Sequence, residues 1–158
     1  MPHPFNVIPT ILRYGSKIWA WPLHFYYTAA RLEPFLIFDV PASGDPIDFH
    51  YHTQEAICYL NVYNLSPFEF TIDRIKVDAV IDSGANFSCT NLAPFVIQGS
   101  SHQRIFMRSQ SSMTKESAER AKGGRKSRIS IEAHIITPMC KFKVLRYIDQ
   151  LTNVHVTI

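Results

Sequence analysis

His50 and His52 stand two residues apart in Ile47-Asp-Phe-His-Tyr-His52, so on an extended strand they share one face as an admissible pair of metal ligands. Two ligands do not make a site and spacing offers no third, so no metal is assigned and the histidines are read as exposed or hydrogen-bonded. Cys58, Cys89 and Cys140 are odd in number and lack the spacing of a zinc knuckle. Reduced, buried thiols follow, which favours the cytoplasmic side. Ser88, Ser101 and His102 do not assemble a nucleophilic triad by spacing. Gly123-Gly124 follows a helical stretch instead of preceding one, so it cannot cradle a phosphate. Arg120, Lys122, Arg125, Lys126 and Arg128 form a basic patch suited to lipid phosphates. That patch lacks the interleaved aromatics that single-stranded nucleic acid requires, so nucleic acid is not the expected partner. No cofactor is implied.

Residues 6–32 carry the second group of unusual side chains. Between Lys17 and Arg31 run thirteen residues without a formal charge, IWAWPLHFYYTAA. Spanning a bilayer takes about 20 apolar residues, and Pro22 would kink a helix here. The reading is therefore a broken, aromatic helix with Arg13 and Lys17 ahead of Trp19, Trp21, Phe25, Tyr26 and Tyr27. Amphipathic aromatics beside cations suit contact with an anionic membrane surface or a protein partner. Packing of the same aromatics on the rest of the chain is the plainer alternative.

The elements that must position these groups are strands. In a chain of 158 residues, ten prolines against six glycines and 13% aromatics lean towards strands and turns. From Ala56 to Asp82, apolar residues alternate through Cys58, Leu60 and Val62, then Phe68, Phe70 and Ile72, then Ile75, Val77, Ala79 and Ile81. Such alternation marks half-buried antiparallel strands, here joined by a turn at Asn64-Leu-Ser-Pro67 whose Asn and Ser satisfy backbone groups. Further strands are expected at 34–41, 47–52, 87–90, 92–97, 103–108, 129–135, from Cys140 to Val144, and at 154–158. A short helix is expected over 112–124, capped by Ser112 or Thr114, with Met113, Ala118 and Ala121 as its apolar side and Gly123 at its exit. About eight short strands at ten-residue spacing give the rhythm of an antiparallel, immunoglobulin-like β-sandwich over residues 33–158, preceded by a helical extension over residues 1–32.

Charge is unevenly spread. Residues 33–82 hold nine acids against two bases, and residues 104–128 hold eight bases against two acids. Such a split either orients the protein near an anionic partner or lets the chain pair with itself.

From Arg31 onwards the order of features resembles the type-2 late-embryogenesis-abundant proteins, also described as water-stress and hypersensitive-response domains. The residues that carry this are Leu60-Asn-Val-Tyr-Asn64-Leu-Ser-Pro-Phe68-Glu-Phe70, followed by Ile75-Lys-Val-Asp-Ala-Val-Ile81. The resemblance implies a non-enzymatic immunoglobulin-like sandwich, linked with stress protection and membranes.

A second resemblance competes. Ala79-Val-Ile-Asp82-Ser83-Gly84-Ala85 is similar to the active-site turn of retropepsin-type aspartic proteases, in which two carboxylates brought together by a dimer share a proton and activate water. The glycine-rich flap and the later apolar-apolar-Gly segment of that family have no counterpart, and Ile129 to Ile136 contains no glycine. Asp, Ser and Gly are also ordinary turn residues. Asp82 is therefore read as structural. The expected function is a non-enzymatic sandwich acting at a membrane surface. The alternatives are a dimeric aspartic protease through Asp82, and an interaction module docked through residues 6–32.

Overall fold

The computed structural model describes residues 26–41, 47–50, 52–82, 86–111, 114–121, 125–152 and 154–157, without the side chains of 118 and 121. The chain turns after Asn64 to join two long inner strands, β3 (Glu55–Asn64) and β4 (Phe70–Ile81). β3 alternates buried and half-buried residues along its whole length. β4 keeps one buried face across a bulge at Asp73, where the register shifts between Ile72 and Arg74. The extra residue explains why the apolar spacing changes from Ile72 to Ile75.

The two strands part into separate sheets. In sheet A, β3 carries β7 (Ser101–Gln110) on one edge. Its other edge carries β1 (Leu36–Asp39) and β2 (Ile47–His50), and β10 (Val154–Thr157) adds beside β2. In sheet B, β4 carries β5 (Asn86–Asn91) and β6 (Phe95–Ile97) on one edge. On its other edge come β8 (Arg125–Ile136) and then β9 (Lys141–Thr152). The inner faces meet in one core, with Leu60, Phe49, Phe70, Ile75, Val77 and Ile131 fully buried.

The fold is the expected two-sheet sandwich, with four differences. Ten strands form among the described residues where the spacing suggests about eight, four of them only three or four residues long. β2 and β10 pair parallel, because β10 returns from the far end of sheet B in the same direction as β2. The apolar run at 92–97 gives a strand only from Phe95, and Leu92 is exposed. The strand holding His50 ends there and His52 lies in the following turn, so the two histidines do not share a strand face. The register explains it: Glu55 pairs with His50, and the chain must already be reversing at residues 52–54.

Among the described residues, two short helices flank the strands. α1 (Ala29–Leu32) runs into a single 3-10 turn and buries Leu32 in the core. α2 (Lys115–Ala121) begins where Thr114 Oγ1 accepts the Ser117 amide at 3.2 Å and Ser117 Oγ accepts the Thr114 amide at 3.0 Å. This reciprocal cap selects Thr114 over Ser112, which lies outside the described residues with Met113 and Gly123. The side chains of Ala118 and Ala121 lie outside them too.

The two sheets are tied along both sides. On one, Cys89 donates its thiol proton to the Arg108 carbonyl at 2.8 Å, and the Ser109 hydroxyl donates to the Ser88 carbonyl. On the other, Arg146 Nη1 meets Glu33 Oε1 at 2.5 Å and Gln150 Nε2 donates to the Val40 carbonyl at 3.3 Å.

Candidate functional site

Asn64 is the most heavily used polar side chain of the fold. It is fully buried, and its Nδ2 faces the carbonyls of Phe68, Ile97 and Gln98 at 2.6, 3.2 and 3.1 Å. Its Oδ1 accepts from the amide and hydroxyl of Ser66 at 3.0 and 2.7 Å. The turn thereby locks onto the β6–β7 loop, where the Ser100 amide donates to the Ser66 carbonyl at 2.8 Å. Gly99 makes this approach sterically feasible: a Cβ there would meet the Pro67 backbone at 2.5 Å. The motif that carries the stress-protein resemblance is thus a structural lock.

That lock organises one pole of the sandwich. Tyr27 packs edge-on against Phe68 with ring centroids 4.8 Å apart, and Tyr26 sits 5.0 Å from Tyr27. Arg31 lies 4.4 Å over the Tyr26 ring and donates to its carbonyl. Tyr26 is 59% exposed and Leu65 53% exposed. Phe35, whose carbonyl accepts the Leu65 amide, is 38% exposed. Of the expected contact residues, Tyr26 and Tyr27 are therefore placed at this pole, Tyr27 half-buried and Tyr26 outward. Arg13, Lys17, Trp19, Trp21 and Phe25 lie outside the described residues.

The opposite pole holds the basic patch and Asp82. Arg120, Arg125, Lys126 and Arg128 are exposed there, while Lys122 is outside the described residues. Three of these cations are partly engaged: Arg120 Nε donates to the Glu116 carbonyl at 3.2 Å, Arg125 Nε donates to the Arg120 carbonyl at 2.9 Å, and Arg128 Nε meets Asp149 at 3.1 Å. Along the twelve residues of β8 the two poles stand about 35–40 Å apart at the usual rise of a strand. The aromatic residues and the basic patch are thus not brought together. Asp82 is exposed, and its amide donates to the Lys126 carbonyl at 3.0 Å. It lines an open groove of about 840 Å³ with Val80, Lys126, Arg128, Asp149 and Leu151. Ser83 and Gly84 lie outside the described residues.

The outer faces carry features that sequence reasoning missed. On sheet A, Arg104 lies 4.7 Å over the Tyr59 ring, and Tyr63 stacks on His102 at 5.5 Å. The alternation of Tyr59, Asn61 and Tyr63 is the signal, visible only once β7 is known to be the neighbour. On sheet B, charge is arranged in short pairs. The Asp78 carboxyl would be raised by burial, but hydrogen bonds from Lys76 and Ser88 outweigh this and hold it below its usual range. Glu132 is also lowered, chiefly by its hydrogen bond with Lys143 at 2.9 Å. Among the described residues no group of three metal-ligating side chains occurs, and no helix is long and apolar enough to cross a membrane.

No protein-family model matches the chain, and no curated protein matches it. Solved structures do. The X-ray structure of a Northeast Structural Genomics Consortium target aligns with a TM-score of 0.51 at 6% identity, over 77% of this chain and 89% of that one. Weaker likenesses are a protein from Archaeoglobus fulgidus, with a TM-score of 0.44 at 12% identity over 75% of this chain and 94% of that one, and the solution structure of a protein provisionally assigned as late embryogenesis abundant, with a TM-score of 0.46 at 14% identity over 94% of this chain and 84% of that one. At such identities the first of these shows a shared β-sandwich fold.

Proposed function

We propose that the chain is a non-catalytic β-sandwich domain of the stress-associated kind, held against an anionic bilayer by its aromatic pole and the aromatic segment that precedes it. One observation carries the reading. Tyr26, Phe35 and Leu65 expose apolar surface together at the pole where the chain arrives from Trp19, Trp21 and Phe25. Exposed aromatics at one end of a molecule, beside Arg31 and near Lys141, are suited to the boundary between headgroups and acyl chains. In this reading Asp82 is a turn residue and the basic patch faces away from the bilayer.

The test is co-sedimentation of the full chain with phosphatidylcholine vesicles, with and without phosphatidylserine, at low and high salt. Binding to anionic vesicles is expected, weakened but not abolished by salt, because screening acts on charge and leaves apolar insertion in place. The double variant Tyr26→Asp, Leu65→Asp should lose at least about tenfold in affinity, from burying two carboxylates in place of apolar groups. Reversing Arg120, Arg125 and Lys126 to Glu should leave binding unchanged. Loss of binding only in the second variant would transfer the role to the opposite pole and sink the proposal.

A further inference from the structure

Four edges bound the two sheets, and three of them are short or closed. β1 and β10 are four residues each, and α2 packs beside β10. β7 faces β5 and is stitched to it by Cys89 and Ser109. β9 is different. It is twelve residues long, pairs in unbroken register with β8 from Lys141 to Thr152, and has no backbone partner along its other side among the described residues. It contains no proline, glycine or bulge to blunt it. Its outward face shows Leu145 at 44% and Tyr147 at 66% exposure between Lys143 and Asp149, with Leu151 at 63% beyond them. A long, flat, apolar edge is a template for another strand. Arg146, the charge on its inner side, is answered by Glu33 and so brings no unpaired charge to the edge.

We propose that the edge of β9 is a self-association surface, on which a second copy of this chain docks antiparallel about a two-fold axis through Arg146. The chemistry of the strand selects the occupant. With the axis at Arg146, Lys143 lies opposite Asp149 of the second copy and Leu145 lies opposite its Tyr147. The two-fold repeats both pairs, so four complementary contacts form on one face. Moving the axis to Tyr147 sets Leu145 against Asp149 and Lys143 against Leu151. Moving it to Leu145 sets Lys143 against Tyr147. A one-residue slip turns the outward side chains of one copy to the wrong face of the other. Ion pairs already present extend the match, since Lys143 is held by Glu132 at 2.9 Å and Asp149 by Arg128 at 3.1 Å. Across the junction they make an alternating row: Glu132, Lys143, then Asp149 and Arg128 of the second copy. Joining the copies gives one continuous sheet running from β5 to β5 of the second copy.

The test is sedimentation velocity of the full chain, with and without charge reversal. A dimer is expected at micromolar concentration, weakened by salt. Lys143→Asp alone and Asp149→Lys alone should each weaken it at least about tenfold, since each sets like charges opposite one another. The double variant Lys143→Asp, Asp149→Lys sets opposite charges against each other across the junction again and should associate more tightly than either single variant, although each reversed charge then faces Glu132 or Arg128 of its own chain. Both side chains are at least half exposed, so the fold should survive and circular dichroism checks that it does. A chain that is monomeric throughout, a dimer indifferent to the single reversals, or a double variant that associates no more tightly than the single ones would each overturn the proposal. So would a monomer whose β9 pairs only with a strand from an unrelated protein.

Discussion

Asn64 answers five polar groups with one amide, and two of them, at the end of β6 and the start of the loop after it, lie more than thirty residues away in sequence. Its two N–H bonds are shared among three carbonyls, so nothing smaller or differently charged can replace it. Asn64→Ala takes the acceptor from the buried Ser66 amide and a donor from the Phe68, Ile97 and Gln98 carbonyls, of which Phe68 and Gln98 keep the Ser66 and Ser101 hydroxyls, at about 1–3 kcal/mol for each group left orphaned. Asn64→Asp keeps the shape but turns a donor into a carboxylate oxygen facing carbonyl oxygens. Both variants should lose at least about 3 kcal/mol in urea denaturation. A loss under about 1 kcal/mol in either would show that water or a shifted loop replaces the amide. The near half of this lock was legible in the sequence, because Asn64 and Ser66 are turn residues that act on their own neighbours. The far half was not, since nothing local reveals that Ile97 and Gln98 arrive at the same place. Asp82 shows the reverse case. Its motif reads as chemistry, while its position is that of a residue leaving a strand into a turn.

The strands were legible from alternation at the edges of the sheets as well as inside them, while the full lengths of β8 and β9 were not. β3 alternates along its whole length, β4 on either side of its bulge and β8 from Ile129, because every second residue there meets the opposite sheet. Removing core atoms from them should be costly. Leu60→Ala is expected to lose about 2–5 kcal/mol through the cavity it leaves, and Val77→Ala somewhat less because fewer atoms go. Both side chains have no exposure at all, so losses below about 0.5 kcal/mol by chemical denaturation would contradict the packing. β9 runs from Lys141 to Thr152, well past the Cys140-to-Val144 stretch that alternation suggests. Past Val144 its inner positions are Arg146, Ile148 and Gln150, two of them polar because they reach the rim of sheet A at Glu33 and Val40. Polar residues on both faces erase the period, although the backbone pairs without a break.

At the scale of the molecule, the segregated charge of the sequence becomes a set of neighbours. The acidic stretch supplies β3 and β4, and the basic stretch supplies β7 and the start of β8, which pair with them. Between these layers lie two thiols that the strand pattern placed correctly indoors. Burial, with Cys89 nearby, pushes the Cys58 thiol up to about 12, and burial pushes Cys89 up to about 11. The Cys89 proton is also committed to the Arg108 carbonyl that helps close the sandwich. A folded-state value above the ordinary 9.0 means that the folded protein binds the proton more tightly than the unfolded chain. The resulting stability is therefore complete below pH 9 and is lost as pH rises through the window towards 12. Urea denaturation followed across that window should show a falling midpoint in the wild-type chain. Cys58→Ala starts from a lower midpoint, through lost packing, but should fall less steeply because one of the two titrating thiols is gone. Every other side chain is common to both proteins, so the difference in slope isolates the thiol. Equal slopes would mean that Cys58 meets water in the folded state, and that the sheets do not close over it.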